Sequence, residues 1–140
     1  MPILIVDDES ELLSALQTYL EIKGFSADIE ADPRVALDRI LEGKYPVVLL
    51  DIVMPRMDGL EMLQRIKEDR PEVEVVMITA NSTSERIWAA RRMGAADFLS
   101  KPFADLELIG QVILLATERA RRWIEVARQH SVHSWLEVSW

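Results

Sequence analysis

The sequence predicts a doubly wound α/β domain: one five-stranded parallel sheet covered by helices on both faces, continued by an extended C-terminal helix. Three observations carry that expectation. Ile3-Leu4-Ile5-Val6, Val47-Val48-Leu49-Leu50 and Val75-Val76-Met77-Ile78 are short apolar runs without alternation, as expected of strands buried on both faces. Patterns of helical period lie between them, with start and stop residues at their ends. Strand and helix follow one another five times, an order that right-handed crossovers assemble into a single sheet.

The elements follow in chain order. After the first apolar run, Leu12, Leu13, Leu16 and Leu20 repeat at helical spacing behind Ser10 and stop at Gly24. Phe25-Ser26-Ala27-Asp28-Ile29 alternates as a second strand. Asp32-Pro33 supplies a cap and a first-turn proline for Val35, Ala36, Leu37, Ile40 and Leu41, which end at Gly43. The third strand is followed by Asp58-Gly59, which opens a helix through Leu60, Leu63 and Ile66 that stops before Pro71. After the fourth strand, Ser82-Thr83 opens a helix through Ala89, Ala90 and Met93 to Gly94, and Ala96-Asp97-Phe98-Leu99 forms the last strand. A fifth helix begins near Ala104.

Composition narrows the class. A chain of 140 residues is one domain's length and buries roughly two-thirds of its extended surface on folding. The absence of cysteine removes disulfides, thiolate-bound zinc and thiol catalysis. The N-terminal apolar run is far too short for a signal peptide or a membrane span, so a cytoplasmic location without membrane attachment is expected. A net charge of −8 opposes direct binding of nucleic acid or anionic lipid. The charge is uneven: residues 117–140 sum to +1, leaving −9 for residues 1–116. Two regions follow, a globular domain over 1–116 and a helical extension or linker over 117–140. His130 and His133 stand in no metal-binding pattern and are expected on the surface, and no Gly-rich nucleotide motif occurs.

In open α/β sheets, ligands bind beyond the carboxyl ends of the strands. Five polar residues fall there: Asp7 and Asp8 after the first strand, Asp51 after the third, Thr79 after the fourth and Lys101 after the fifth. Singly each is ordinary, since an acidic pair at a strand end commonly caps a helix. Together they constrain the chemistry. Carboxylates about 4 Å apart repel by roughly 4 kcal/mol per pair at an effective dielectric near 20, so the cluster needs a cation or shifted pKa values. An all-oxygen donor set with few carboxylates suits Mg²⁺, which keeps waters and takes phosphate oxygens. Thr79 and Lys101 add a donor and a positive charge for a phosphoryl group, and a carboxylate can itself accept that group.

These residues carry a resemblance. Asp7-Asp8, the segment Asp51-Ile52-Val53-Met54-Pro55-Arg56-Met57-Asp58-Gly59, Thr79-Ala80 and Lys101-Pro102 are similar, in order, to the motifs of the receiver domain of two-component response regulators, over about residues 2 to 116. The resemblance implies a flavodoxin-like (βα)5 fold and a phospho-accepting switch that takes its phosphoryl group from a histidine kinase or phosphotransfer protein. It implies Asp51 as acceptor, Asp8 as a direct and Asp7 as a water-mediated Mg²⁺ ligand, and Val53 as a ligand through its backbone carbonyl. Thr79 and Lys101 would hold phosphoryl oxygens, Thr79 and Phe98 would act as switch residues, and the Lys101-Pro102 peptide would be cis. Val53 and Asn81, two residues after the acceptor and the threonine, stand where the family controls attack of water on the phosphoryl group. Such a domain is not an enzyme with turnover.

Two other functions compete. A Mg²⁺-dependent phosphatase working through an aspartyl-phosphate wants a second carboxylate two residues after its nucleophile. Val53 stands there relative to Asp51, but Glu9 stands there relative to Asp7. An interaction module of the same fold without the chemistry is the other.

Two surface features are also expected. Trp88 falls opposite Ala89, Ala90 and Met93 on the fourth helix and should be exposed as part of a partner surface. Leu106, Ile109, Ile113, Ala116, Ala120, Trp123 and Ala127 keep a three-four spacing, so the fifth helix should reach about Gln129 and outrun the sheet beyond Ala116. Leu108, Val112 and Leu115 form a second apolar strip, and pairing of this helix with its copy in a homodimer is the simplest way to cover it. Trp135 and Trp140 folding back is the alternative.

Overall fold

The computed structural model describes residues 1–80, 82–103 and 105–130. Asn81, Ala104, His133, Trp135 and Trp140, and with them the expectations placed on those residues, lie outside that range. Among the described residues five strands, β1 (Pro2–Val6), β2 (Ser26–Glu30), β3 (Val47–Asp51), β4 (Glu74–Thr79) and β5 (Asp97–Ser100), alternate with five helices. The helices are α1 (Ser10–Ile22), α2 (Pro33–Leu41), α3 (Gly59–Asp69), α4 (Ser84–Arg92) and α5 (Leu106–Gln129). All strand pairs are parallel, in the order β2-β1-β3-β4-β5.

The unalternating apolar runs acquire two faces in the sheet. Leu4, Val6, Val48, Leu50, Val75 and Met77 point into a core shared with α2, α3 and α4. Ile3, Ile5, Val47, Leu49, Val76 and Ile78 point into a second core shared with α1 and α5. Because both faces are covered, every residue from Ile3 to Val6 and from Val47 to Leu50 is at most 1% exposed.

Helix boundaries fall where the caps require. Asp32, Asp58, Thr83 and Asp105 each accept a backbone N–H of the first turn of α2, α3, α4 and α5. Gly24, Gly43 and Gly94 end α1, α2 and α4 with positive φ. The Lys101-Pro102 peptide is cis.

Helix α5 runs unbroken to Gln129, but its packing differs from the wheel-based expectation in three respects. Ala120 is buried with Ala116 in the sheet-facing core, so the helix leaves the sheet a turn later than Ala116. In the same turn, Arg119 places its Nε 2.6 Å from Oε1 of Glu74 at the start of β4. Val112 is core and belongs to no exposed strip, leaving Leu108 and Leu115 about half exposed. Leu106, the first residue of the helix, is likewise exposed. Trp123 is 62% exposed, while Ile124 is buried without joining either sheet-facing core. His130 is exposed.

Candidate functional site

The strand order reverses between β1 and its neighbours β2 and β3, and the crevice beyond the carboxyl ends of β1 and β3 is where such sheets take ligands. Asp7 follows β1 and Asp51 ends β3, and parallel pairing places the two carboxylates side by side. Asp7, Asp8 and Asp51 present carboxylate oxygens that lie within 4.8 Å of one another. Asp7 and Asp51 are buried, and Asp8 is exposed.

Lys101, from the turn after β5, reaches across the sheet end with a side chain only 9% exposed. Its Nζ lies 3.1 Å from Oδ2 of Asp51, a hydrogen bond, and 3.3 Å from Oε1 of Glu9. The same ammonium is 2.7 Å from Oδ2 of Asp7, a charge contact that lacks hydrogen-bond geometry. Oδ1 of Asp7 accepts the Glu9 N–H at 3.0 Å, and Oδ1 of Asp51 accepts the Val53 N–H at 3.2 Å.

The electrostatics show why the cluster is poised. Burial, then the charge of Asp7, holds the Asp51 carboxyl above its ordinary value, against the opposing pull of Lys101 and the Val53 N–H. Burial also raises Asp8, with Asp7 adding to it. For Lys101, burial alone would lower the ammonium, but the close carboxylates of Asp7 and Asp51 outweigh it and hold it well above its ordinary value. One buried lysine therefore does not neutralise three carboxylates.

The residue set fits a hard divalent cation on two counts, oxygen-only donors and excess negative charge that the chain itself leaves uncompensated. It also fits a phosphoryl group. Oγ1 of Thr79, at the end of β4, is buried and finds no hydrogen-bond partner among the described residues, a costly arrangement unless an acceptor oxygen completes it. Phe98 is half-buried on the opposite side of the sheet from α5, packed against the core of α2, α3 and α4. Val53 is 57% exposed at the mouth of the site.

Sequence reasoning missed three contributors. Glu9 joins the Lys101 cluster, and only the fold brings residues 9 and 101 together. Gly59 packs on the acceptor strand: a Cβ there would lie 2.3 Å from the Asp51 carbonyl oxygen and 2.5 Å from Ile52 Cα. Asp58 caps α3 and also accepts from Arg86 of α4 at 2.7 Å. The Asp58-Gly59 pair was visible as a helix start, but nothing local marked its second and third partners.

Comparison with known proteins agrees with the geometry. Residues 3–113 match the family model described as the response regulator receiver domain. The chain is 37% identical over 114 residues to the transcriptional regulatory protein DltR of Streptococcus agalactiae, covering 81% of this chain and 51% of that protein. It is 38% identical over 111 residues to the response regulator MprA of Mycolicibacterium vanbaalenii, covering 79% and 48%. The chain thus spans about half the length of these relatives. Among solved structures, NtrX from Brucella abortus in complex with ADP superposes with a TM-score of 0.82 at 33% identity, covering 95% of this chain and 30% of that one. A CheY-like receiver domain protein from Methanospirillum hungatei superposes with a TM-score of 0.79 at 27% identity, covering 86% and 97%. With the family's model matched over most of its length, this chain belongs to the receiver domains of two-component response regulators.

Proposed function

We propose that Asp51 accepts a phosphoryl group from a histidine kinase or phosphotransfer protein, with Mg²⁺ bound by Asp7, Asp8, Asp51 and the Val53 carbonyl. The observation that carries this reading is the convergence at one sheet end of an acceptor carboxylate, a buried ammonium 3.1 Å from it and a buried, unpartnered threonine hydroxyl. In the transfer, an Asp51 carboxylate oxygen bonds to phosphorus as the bond from phosphorus to the donor nitrogen breaks. The donor nitrogen keeps that electron pair, and the imidazole leaves neutral when its other ring nitrogen carries a proton. Lys101 and Thr79 hold two of the phosphoryl oxygens, so the chain contributes position and charge. Mg²⁺, when bound, supplies the further positive charge that a phosphoryl group requires among carboxylates.

Asp7 and Asp51 both contact Lys101 and each accepts one backbone N–H, but Asp7 is wholly buried whereas Asp51 keeps a small opening, 0% against 4% exposed, so Asp7 is the weaker nucleophile candidate. This favours stoichiometric labelling of Asp51 over phosphatase turnover through Asp7. A small phosphodonor with Mg²⁺ should add one phosphoryl group, located by mass spectrometry on Asp51 and lost in Asp51→Asn. A label on Asp7, or multiple turnovers of an aryl phosphate, would overturn the assignment. An interaction module without chemistry would show no Mg²⁺-dependent fluorescence change that Asp8→Ala removes.

The output surface in this reading includes Trp88, 58% exposed on α4, and the exposed face of α5. Among the described residues no helix is long and apolar enough to cross a membrane. Trp123 near the end of α5, with Leu108 and Leu115 along it, favours pairing of this helix with its copy in a homodimer. Sedimentation of the chain beside Trp123→Glu and Leu115→Glu tests that pairing, and three monomeric species at tens of micromolar would reject it.

A further inference from the structure

The fourth helix buries little of itself, and one of its side chains reaches the acceptor loop. Ala90 alone among the residues of α4 is fully buried, while Ile87 and Trp88 are 37% and 58% exposed. At its far end, Gly94 rests on the stem of Lys67, whose Nζ donates to the carbonyls of Pro71 and Val73. At its near end, Arg86 extends a guanidinium nitrogen to within 2.7 Å of Asp58 Oδ1.

Arg86 is in the wrong place for its own helix. Its backbone N–H is the one that the Thr83 cap accepts, at 3.3 Å, so it lies in the first turn, where the helix dipole disfavours a cation. Its partner across the groove accounts for it. Asp58 lies at the end of the loop that begins at Asp51, and that end is packed onto the strand: Gly59 N–H donates to Ile52 O at 2.7 Å, and the Gly59 Cα faces the Asp51 carbonyl too closely to admit a side chain. The Asp58 carboxylate is fixed in turn by accepting Leu60 N–H at 3.1 Å. A charged side chain of α4 is thereby tied, through one ion pair, to backbone in direct contact with Asp51.

We propose that the Arg86–Asp58 pair is a latch that restrains the first half of α4, and with it Trp88, against the acceptor loop. Its signalling consequence rests on the reading of Asp51 as acceptor, whereas the restraint itself belongs to the unphosphorylated protein. Both side chains are partly exposed, 37% and 45%, so the pair restrains without freezing the helix. Loss of the latch frees the near end of α4 while Gly94 and Lys67 keep the far end in place.

Native-state hydrogen exchange of the unphosphorylated chain, compared across wild type, Arg86→Gln, Asp58→Asn and the double variant, tests this. Asparagine preserves the cap on α3, so Asp58→Asn removes charge without removing the cap. Each single variant should speed exchange of the α4 amides by about twofold to fivefold, the double variant by no more than either single, and α1 and α2 should be unaffected. Raised salt should speed α4 exchange in wild type and leave Arg86→Gln unchanged. Unaltered α4 exchange in Arg86→Gln, or single effects that multiply in the double variant, would overturn the latch. Phosphoryl uptake on Asp51, weighed on the same samples, reports separately on the acceptor reading, so either can fail alone.

Discussion

Replacing Gly59 with alanine should be more damaging than its helical position suggests. Gly59 is the first residue of α3, and its φ is not in the left-handed region, so conformation alone would allow alanine and helix propensity would favour it by up to about 1 kcal/mol. Space forbids it. The new methyl would sit 2.3 Å from the Asp51 carbonyl oxygen, 2.5 Å from Ile52 Cα and 2.9 Å from Ile52 O. All three are backbone atoms, so no rotamer change relieves the contact, and ordinary separation requires a shift of about 1 Å between α3 and the end of β3. Overpacking of this kind costs about 1–3 kcal/mol. Stretching the 2.7 Å bond from Gly59 N–H to Ile52 O adds about 1 kcal/mol. Set against the propensity gain, the net loss is about 1–3 kcal/mol, or roughly 3–12 °C in Tm for a chain of this size. Because the nearest of the displaced atoms is the Asp51 carbonyl oxygen and the others belong to the next residue, phosphoryl uptake should also slow by about tenfold to a hundredfold. Thermal unfolding and timed mass spectrometry with a small phosphodonor measure both effects. Gly24→Ala, where a Cβ meets nothing but φ is +94°, is the control: it should lose about 1 kcal/mol and no labelling rate. A Gly59→Ala protein as stable as wild type, labelled at the wild-type rate, would refute the close-packing argument.

Two further outcomes follow from the charges and the rim of the site. Asp51 is held above its ordinary pKa of 3.8, so between that value and its folded value the native state binds more protons than the unfolded chain, and stability falls as pH rises through the folded value. Metal-free Asp51→Asn should therefore melt a few degrees above wild type at neutral pH, with the gain disappearing below the ordinary carboxylate value and in saturating Mg²⁺; equal melting in chelator at neutral pH would count against the strained cluster. Val53, exposed at the mouth of the site, offers no group to orient a water, so Val53→Asn should shorten the lifetime of the phosphorylated form severalfold, and an equal or longer lifetime would remove Val53 from that role.

The order of the elements and most of their ends are legible from sequence, because they depend on local chemistry. Unalternating β-branched runs require burial on two faces, the caps Asp32, Asp58 and Thr83 satisfy first-turn amides, and Gly24, Gly43 and Gly94 adopt a φ that other residues resist. The sequence also placed Asp7, Asp8, Asp51, Thr79 and Lys101 at strand ends, since a parallel sheet sends all its carboxyl ends to one edge. Tertiary structure decided what depends on distance between remote segments. Helical periodicity put Val112 on a second strip and Ala120 beyond the sheet, yet both are buried in the core shared with α1, because which part of a helix is covered depends on the elements packed against it. Periodicity likewise says nothing of Glu9 beside Lys101, Arg86 on Asp58 or Gly59 against Asp51, whose meeting requires the fold to be complete. Local sequence thus sets which backbone conformations are cheap, whereas long-range packing sets which side chains meet, and a charge or a methyl group acquires its energy only from the neighbours it meets.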